Sequence, residues 1–364
     1  MTTAKITIIG AGIAGLSAAY TLHQAGLTPE VLEASERIGG RVDSLYAQDG
    51  QAIADLGPTW VWPPFQPIIA RWLNALGLAT FEQYEQGDAV LEGFAPAPRR
   101  QPLPGQFGMA RLVGGPQQLV SALTDALPPG TITTQTPIHA IHKNDDGSLQ
   151  LQSDGELINT DYVLVATPPR IAAERIKLPE ALSQAVLPTL QSMPTWMAAQ
   201  ARAVIRYERP FWRDHGLSGR IASREGPLFE AHDHTSAQGH ASLFGFISTP
   251  TAQRDPAYLS DAIVAQLERC LGPEAAHPIE LTIRDWATET WICSQVDRAE
   301  TPAHPAVGPE LLRSAHLNGR LWFCGAETAD QSPGLIEGAL AAGEAAAQAA
   351  ISRYETTRPG ILTT

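Results

Sequence analysis

The sequence predicts an α/β protein built on a Rossmann-like dinucleotide-binding unit, and three observations within its first 33 residues predict it. The first is an apolar strand, Lys5-Ile-Thr-Ile-Ile9. The second is the glycine pattern Gly10-Ala-Gly12-Ile13-Ala14-Gly15, followed by a small-residue helix read from Leu16 to about Ala25. The third is Pro29-Glu-Val-Leu-Glu33, a second strand closed by an acid eighteen residues after Gly15. Taken in order, Gly10 lets the chain turn tightly off the strand, Gly12 lets the backbone approach a pyrophosphate, and Gly15 lets the helix pack close to the strand. The helix N-terminus offers N–H groups and a positive dipole end to phosphates. Glu33, with Ala34 beside it, lies where a carboxylate accepts hydrogen bonds from ribose hydroxyls.

The next segment, Glu36-Arg-Ile-Gly39-Gly40-Arg41, adds two adjacent glycines and an arginine. They provide a second close backbone approach and a cation for a diphosphate. With these residues the sequence resembles the flavoproteins with two dinucleotide-binding domains, whose ligand is FAD rather than NAD. That resemblance gives meaning to the far end of the chain. Arg320-Leu-Trp-Phe-Cys324-Gly-Ala-Glu327-Thr328 reads as a short buried strand running into a turn, and Ser332-Pro-Gly334-Leu335-Ile336-Glu337-Gly338 opens the final helix. Glu327 can accept a hydrogen bond from the ribityl chain. Gly334 and the following N–H groups of Leu335 and Ile336 can approach the flavin's pyrimidine edge, where charge gathers on reduction. The paired motifs resemble those of the flavin amine oxidase family, which includes monoamine, polyamine and L-amino-acid oxidases.

Intermediate segments agree with that resemblance. Asp55-Leu-Gly57-Pro58-Thr59-Trp60 is similar to the family's second flavin-contacting loop, and Arg111-Leu-Val-Gly114-Gly115 to its glycine pair before a helix. Pro137-Ile138-His-Ala-Ile141 resembles the strand whose backbone meets the adenine. Asp161-Tyr-Val-Leu-Val-Ala166-Thr-Pro168-Pro169 resembles the buried strand closing the cofactor domain, and Tyr207-Glu-Arg-Pro210-Phe211-Trp212 a substrate-domain strand end. The resemblance runs from residue 5 to about 352. It implies an FAD-binding domain from 1–61, 112–175 and 285–355, a discontinuous α+β substrate domain from 62–111 and 176–284, and a tail at 356–364. The Asp145-Asp-Gly147 turn predicts a hairpin. Residues 94–108 read as a Pro-rich loop without periodicity. The segment from Trp60 to Arg111 is short for the family, so the substrate entrance is expected to lack a full helical lid.

Bulk properties narrow the function classes. A 364-residue chain with 44% hydrophobic and 17% charged residues has the makings of about two domains with sizeable cores. A net charge of −13 argues against a nucleic-acid partner or an anionic membrane surface. Cys270, Cys293 and Cys324 are too scattered for a disulfide framework or a zinc site. The N-terminus lacks signal-peptide character, and the Ala-rich Gly338–Ile351 stretch, broken by Gly343, Glu344 and Gln348, reads as a packed helix rather than a membrane span. A soluble cytoplasmic protein acting on a small molecule is expected, with the oligomeric state left open.

Three departures from the family bear on the chemistry. Many members place a lysine ten residues before the Trp of the P-F-W motif, where it holds a water on flavin N5. Here that position is Arg202, and Lys5, Lys143 and Lys177 all fall in or beside cofactor-domain elements. Arg202 is therefore either a cation near the flavin or a solvent-facing strand residue. Covalent members carry a flavin-linking cysteine about nine residues after a Trp. Counting from Trp286 reaches Gln295, so Cys293 is out of phase and reads as a buried strand residue, and FAD is expected to bind non-covalently. The two aromatics that flank the flavin in many amine oxidases correspond to Val296 and Leu335. Trp60, Trp196 and Trp291 remain as candidates for a different cage, or as core and rim residues. Arg202, Trp60 and Trp291 are thus the catalytic candidates.

His232-Asp-His234, with His240 beyond, has metal-like spacing but reads as a polar hairpin turn, and no metal is expected. No G-x-S-x-G, H-E-x-x-H, C-x-x-C or second nucleotide fingerprint is present. The implied activity is FAD-dependent oxidation of an amine, in which a C–H next to nitrogen passes a hydride to flavin N5 and oxygen takes the electrons. Two rivals stand beside it: a dehydrogenase or desaturase acting on a C–C bond, as in protoporphyrinogen oxidases and carotenoid desaturases, and a flavin-bound protein that acts by interaction.

Overall fold

The structure is a computed structural model and describes residues 4–47, 50–300 and 303–357. The chain divides into two compact units. The first comprises Met1–Arg41, Leu119–Ala198 and Thr290–Thr364. Its centre is a five-stranded sheet in the order Ile132–Thr133, Pro29–Leu32, Ile6–Ile9, Tyr162–Val165, Leu321–Phe323. All four pairings are parallel. The order steps away on either side of Ile6–Ile9, so the glycine turn leaves the carboxyl end of a strand at a topological switch point, where doubly wound folds bind ligands. Every residue of Ile6–Ile9 and Tyr162–Val165 is buried, as expected of strands covered on both faces.

The helix Ile13–Gln24 follows the turn directly and lies against the terminal helix Ile336–Thr357. Gly343 makes that approach possible, since a Cβ there would stand 2.0 Å from the carbonyl oxygen of Ala14. A separate antiparallel sheet joins Ala140–Lys143, Leu149–Gln152 and Leu157–Thr160, and its first turn is the hairpin expected at Asp145–Gly147. Among the described residues no helix is long and apolar enough to cross a membrane.

The second unit comprises Val42–Gln118 and Ala199–Glu289. Its seven-stranded sheet runs Glu280–Asp285, Ala201–Arg206, Ser242–Ile247, Leu228–Asp233, Leu217–Ser223, Asp88–Glu92, Arg99–Gln101. Ala201, Ala203, Ile205, Leu243 and Ile247 face Leu259, Ile263 and Leu267 of the helix Pro256–Leu271 in one apolar core. Side chains alternate along a strand, so Arg202, Phe244 and Phe246 fall on the opposite face, with Arg202 directly across from Phe246. A hairpin of Ser44–Tyr46 with Ala52–Asp55 and a small sheet of Trp60–Val61, Ala110–Leu112 and Thr80–Glu82 complete the unit.

Several elements differ from the sequence reading. The first helix begins at Ile13, three residues early, because the glycine turn runs straight into it. Arg99–Gln101 forms an exposed edge strand on Asp88–Glu92 inside the segment read as structureless, where the polar run carries no apolar alternation to betray a strand. The units also group residues 42–61, 112–118 and 285–289 with the seven-stranded sheet, and 176–198 with the parallel one. Pairing explains the first shift, since Trp60 pairs with Arg111 and Asp285 with Ala201. Core packing explains the second, since Ile176, Leu190 and Met193 share a cluster with Val163 and Phe323. The terminal helix covers the start of the segment read as a tail, and residues 358–364 lie outside the described residues.

Candidate active site

In the first unit the glycine turn has the shape its spacing implies. Gly10 sits at φ +104, and a Cβ on Gly15 would lie 1.9 Å from the Gly10 carbonyl oxygen, so strand and helix touch backbone to backbone there. Gly12 is different. Its φ is −73, and the nearest atom to a Cβ would be the Cα of Gly40 at 3.9 Å. Packing within the chain does not demand glycine at that point, so the room beside Gly12 is what a diphosphate would use, whereas a Cβ on Gly40, at φ +59, would stand 3.2 Å from the Gly12 Cα. The first helical hydrogen bond runs from Leu16 N–H to Gly12 C=O at 2.9 Å, so the N–H groups of Ile13, Ala14 and Gly15 stand ahead of the ladder. A glycine floor under a helix N-terminus fits a dinucleotide's phosphates.

Glu33 is buried and ties this turn together. Its Oε2 accepts from Ala11 N–H at 2.7 Å, and its Oε1 from the N–H and hydroxyl of Ser35 at 2.9 and 2.7 Å. An ionised carboxylate has about four acceptor positions, so one remains for a ribose hydroxyl. Ala34 beside it is half-buried. Replacing Glu33 with alanine should weaken binding of a dinucleotide by roughly 1–3 kcal/mol, the scale for losing hydrogen bonds to a charged acceptor. Titration of apoprotein with FAD checks it, and unchanged affinity would show that Glu33 does not meet the cofactor.

The N- and C-terminal motifs meet within this unit. Arg41 holds Glu327 in a two-point pair, Nη1 to Oε1 at 2.5 Å and Nη2 to Oε2 at 3.1 Å, and Glu327 is fully buried. The main chain of Trp196 joins them: its N–H donates to Glu327 at 3.3 Å and its carbonyl accepts from Arg41 at 3.1 Å. Gly334 is at φ +78, and a Cβ there would stand 2.6 Å from the Trp196 Cβ. Its N–H donates to Ala326 and that of Leu335 to Ser332, so both are engaged inside the turn. The N–H of Ile336, the first residue of the helix, follows these two engaged groups. Ile138 is buried just before the strand Ala140–Lys143.

Two further candidates lie in this unit. Trp291 is half-buried in a turn, with the Arg175 guanidinium 5.9 Å from its ring. Cys293 is buried, but in the loop before the capped helix Gln295–Ala299 rather than in a strand. Asp297 of that helix pairs with Arg170 at 2.7 Å and accepts from Thr195 N–H at 3.0 Å, anchoring the segment beside Val296 and Trp196.

In the second unit Arg202 is 6% exposed, which removes the solvent-facing reading. It donates to the carbonyl of Gly57, and its guanidinium lies 5.1 Å from the Phe246 ring and 5.4 Å from that of Phe244. Among the described residues no carboxylate lies within ion-pair distance of it. Burial pushes its pKa down to about 10 against the pull of Asp55, so it stays charged at neutral pH. Trp60 donates from Nε1 to Gln83 at 2.8 Å and meets the rings of His232 and Phe244 edge-on at 4.8 and 5.7 Å. Pro58 is half-buried, and the buried Thr59 hydroxyl has no hydrogen-bond partner among the described residues.

The backbone leading into Gly57-Pro58-Thr59-Trp60 is held at two more points. Asp55 N–H donates to His234 Nε2 at 2.9 Å, and Trp286 Nε1 donates to the Leu56 carbonyl at 3.0 Å. His232 and His234 are thus not in a polar turn. The strand runs to Asp233 and buries both rings, 5% and 0% exposed. Asp233 is taken by Trp212 at 2.8 Å and Arg213 at 2.7 Å. Among the described residues no group of three or more His, Cys, Asp and Glu side chains could hold a metal ion. Burial first, and then the positive charge of Arg111, push the His234 pKa down to about 4, against Asp55 and Asp233. Sequence reasoning missed His234, Trp286, Gln83 and Trp196 in these roles. His234 and Trp286 meet partners 179 and 230 residues away, beyond any local pattern.

The sequence profile of the flavin-containing amine oxidoreductases matches residues 13–95 and 97–351. The chain belongs to that family. A probable flavin-containing monoamine oxidase A of Dictyostelium discoideum is 22% identical, covering 93% of this chain and 95% of its own. Cyclohexylamine oxidase from Brevibacterium oxydans superposes with a TM-score of 0.82 at 20% identity, over 97% of this chain and 100% of its own. Wild-type putrescine oxidase bound to putrescine gives 0.81 at 22%, with the same coverage. As a flavin-containing amine oxidoreductase, this protein is an oxidoreductase with the amine oxidase fold, and the family implies a flavin cofactor.

Proposed function

We propose that the protein is a cytoplasmic FAD-dependent amine oxidase holding FAD non-covalently. The observation that carries this is Gly12, a glycine that chain packing does not require at a helix N-terminus, with Glu33 behind it, inside a family match that spans nearly the whole chain. When bound, the flavin supplies at N5 an acceptor for the hydride of a C–H next to nitrogen, with oxygen as the final acceptor, giving imine and hydrogen peroxide. The chain's part is to bind and orient. Ile13, Ala14 and Gly15 direct N–H groups at the diphosphate, Glu33 takes the ribose, and Arg41 with Glu327 meets the ribityl and diphosphate region. Ile336 opens a helix whose first N–H groups suit the pyrimidine edge. Gly57, Pro58, Thr59 and Trp60 form the second flavin-contacting loop, with Arg202 the cation behind it. The amine can lose its proton before hydride transfer, so no acid–base pair is required of the protein.

Arg202 stands where relatives use a lysine, and the two cations act differently. A positioned ammonium would stabilise negative charge developing on oxygen beside a bound flavin. The Arg202 guanidinium is a rigid fork already engaged by the Gly57 carbonyl and two rings. Arg202→Ala should therefore slow reoxidation by about tenfold or less, near 1.4 kcal/mol, when measured on protein saturated with FAD. Arg202→Lys should restore or raise the rate. The test is to reduce the flavin without oxygen, mix with aerated buffer and follow the return of yellow colour. Equal rates in wild type and Arg202→Ala would leave Arg202 a packing residue.

A further inference from the structure

Residues 55–57 offer three successive backbone groups to three buried side chains from separate segments of the second unit. His234 takes the Asp55 N–H, Trp286 the Leu56 carbonyl and Arg202 the Gly57 carbonyl, at 0%, 2% and 6% exposure. Loops ordinarily meet their backbone needs with their own main chain or water. Here each gripping side chain is itself braced. The His234 ring stacks on Phe244 at 5.2 Å, and the backbone N–H of His234 donates to Ser242 C=O at 2.8 Å. The Trp286 ring lies 4.6 Å from the Arg284 guanidinium, which pairs with Asp43 at 3.2 Å and Glu289 at 2.8 Å. Asp43 closes the circuit, because its carbonyl accepts from Leu56 N–H at 2.9 Å.

We propose that His234 and Trp286 are positioning residues for the flavin: together with Arg202 they fix the backbone at 55–57 and so set where Gly57, Pro58, Thr59 and Trp60 meet the isoalloxazine ring. This rests on the reading that the loop is a flavin contact. His234 acts as an acceptor through Nε2, which places its ring proton on Nδ1. Trp286 acts as a donor, a role that the smaller ring of phenylalanine lacks.

Three variants test it, each titrated with FAD: Trp286→Phe, which deletes the donor; His234→Leu, which deletes the acceptor; and His234→Gln, whose side-chain carbonyl can accept again. The readouts are the visible circular dichroism of the bound flavin and the Kd for FAD, with the unfolding midpoint of the apoprotein measured separately. Trp286→Phe and His234→Leu should alter the dichroism and weaken FAD binding about five- to tenfold, the scale of one buried hydrogen bond. His234→Gln should recover both. Wild-type dichroism and Kd in Trp286→Phe and His234→Leu, even with lowered midpoints, would make these residues structural only and overturn the proposal. If His234→Leu does not fold, Trp286→Phe alone decides. No amine enters these measurements, so a wild type that binds FAD but is not reduced by amines defeats the amine oxidase reading and leaves this result standing.

Discussion

Gly12→Ala is expected to give a folded, colourless protein, while Gly15→Ala fails one step earlier, in the fold itself. The two glycines lie three residues apart, yet opposite neighbours require them. A methyl group at Gly15 would stand 1.9 Å from the Gly10 carbonyl oxygen, a backbone atom that cannot swing aside. A methyl group at Gly12 would meet only the Gly40 Cα at 3.9 Å, an ordinary contact, on backbone that any residue can adopt. Alanine at this helix cap should cost less than about 1 kcal/mol of stability. It would, however, occupy the space proposed for the diphosphate. Overpacking of that kind costs about 3 kcal/mol, or roughly a hundredfold in FAD affinity. Far-ultraviolet dichroism and FAD titration separate the two outcomes. A Gly12→Ala protein that binds FAD like wild type would mean that no ligand crosses that glycine.

Acidification is expected to destabilise the second unit through His234, well above the pH at which most carboxylates protonate. In the folded chain this imidazole stays neutral down to about pH 4, because it is buried and faces Arg111, with Asp55 and Asp233 only partly opposing. In the unfolded chain it takes a proton near the ordinary histidine value of about 6.5. Between those limits the unfolded state binds more protons, so stability falls as pH falls. The loss should reach about 3 kcal/mol by pH 4 and be absent above about pH 7. His234→Gln carries no titrating ring, so its denaturation midpoint should fall less steeply over the same window. Parallel midpoint curves for wild type and His234→Gln would show that His234 does not report on folding.

The cofactor half of the molecule was legible because its signals are local. Strand, glycine turn, helix, second strand and Glu33 follow within 33 residues, and Gly15 is required by Gly10, its neighbour in the same turn. The Arg41–Glu327 pair joins residues 286 apart, but each lies in a motif recognisable by itself. The wall carrying Arg202 was not legible in the same way. Counting back from Trp212 located Arg202, but which face it occupies depends on strand register, and a slip of one residue reverses it. His232 and His234 have the composition of a turn. The strand instead runs to Asp233 and both rings are buried, because Trp212 and Arg213 satisfy Asp233 and the Asp55 N–H meets His234. Likewise Gly334 and Leu335 sit in a recognisable motif, yet only the folded turn shows their N–H groups turned inward.

Anaerobic mixing of the FAD-loaded protein with a panel of primary amines, amino acids and polycyclic substrates tests the amine oxidase assignment most directly. At least one amine should bleach the yellow flavin, and air should return the colour with release of hydrogen peroxide. A flavin that no amine or amino acid bleaches, but that a polycyclic substrate reduces, would contradict the account and move the chemistry to a C–C bond.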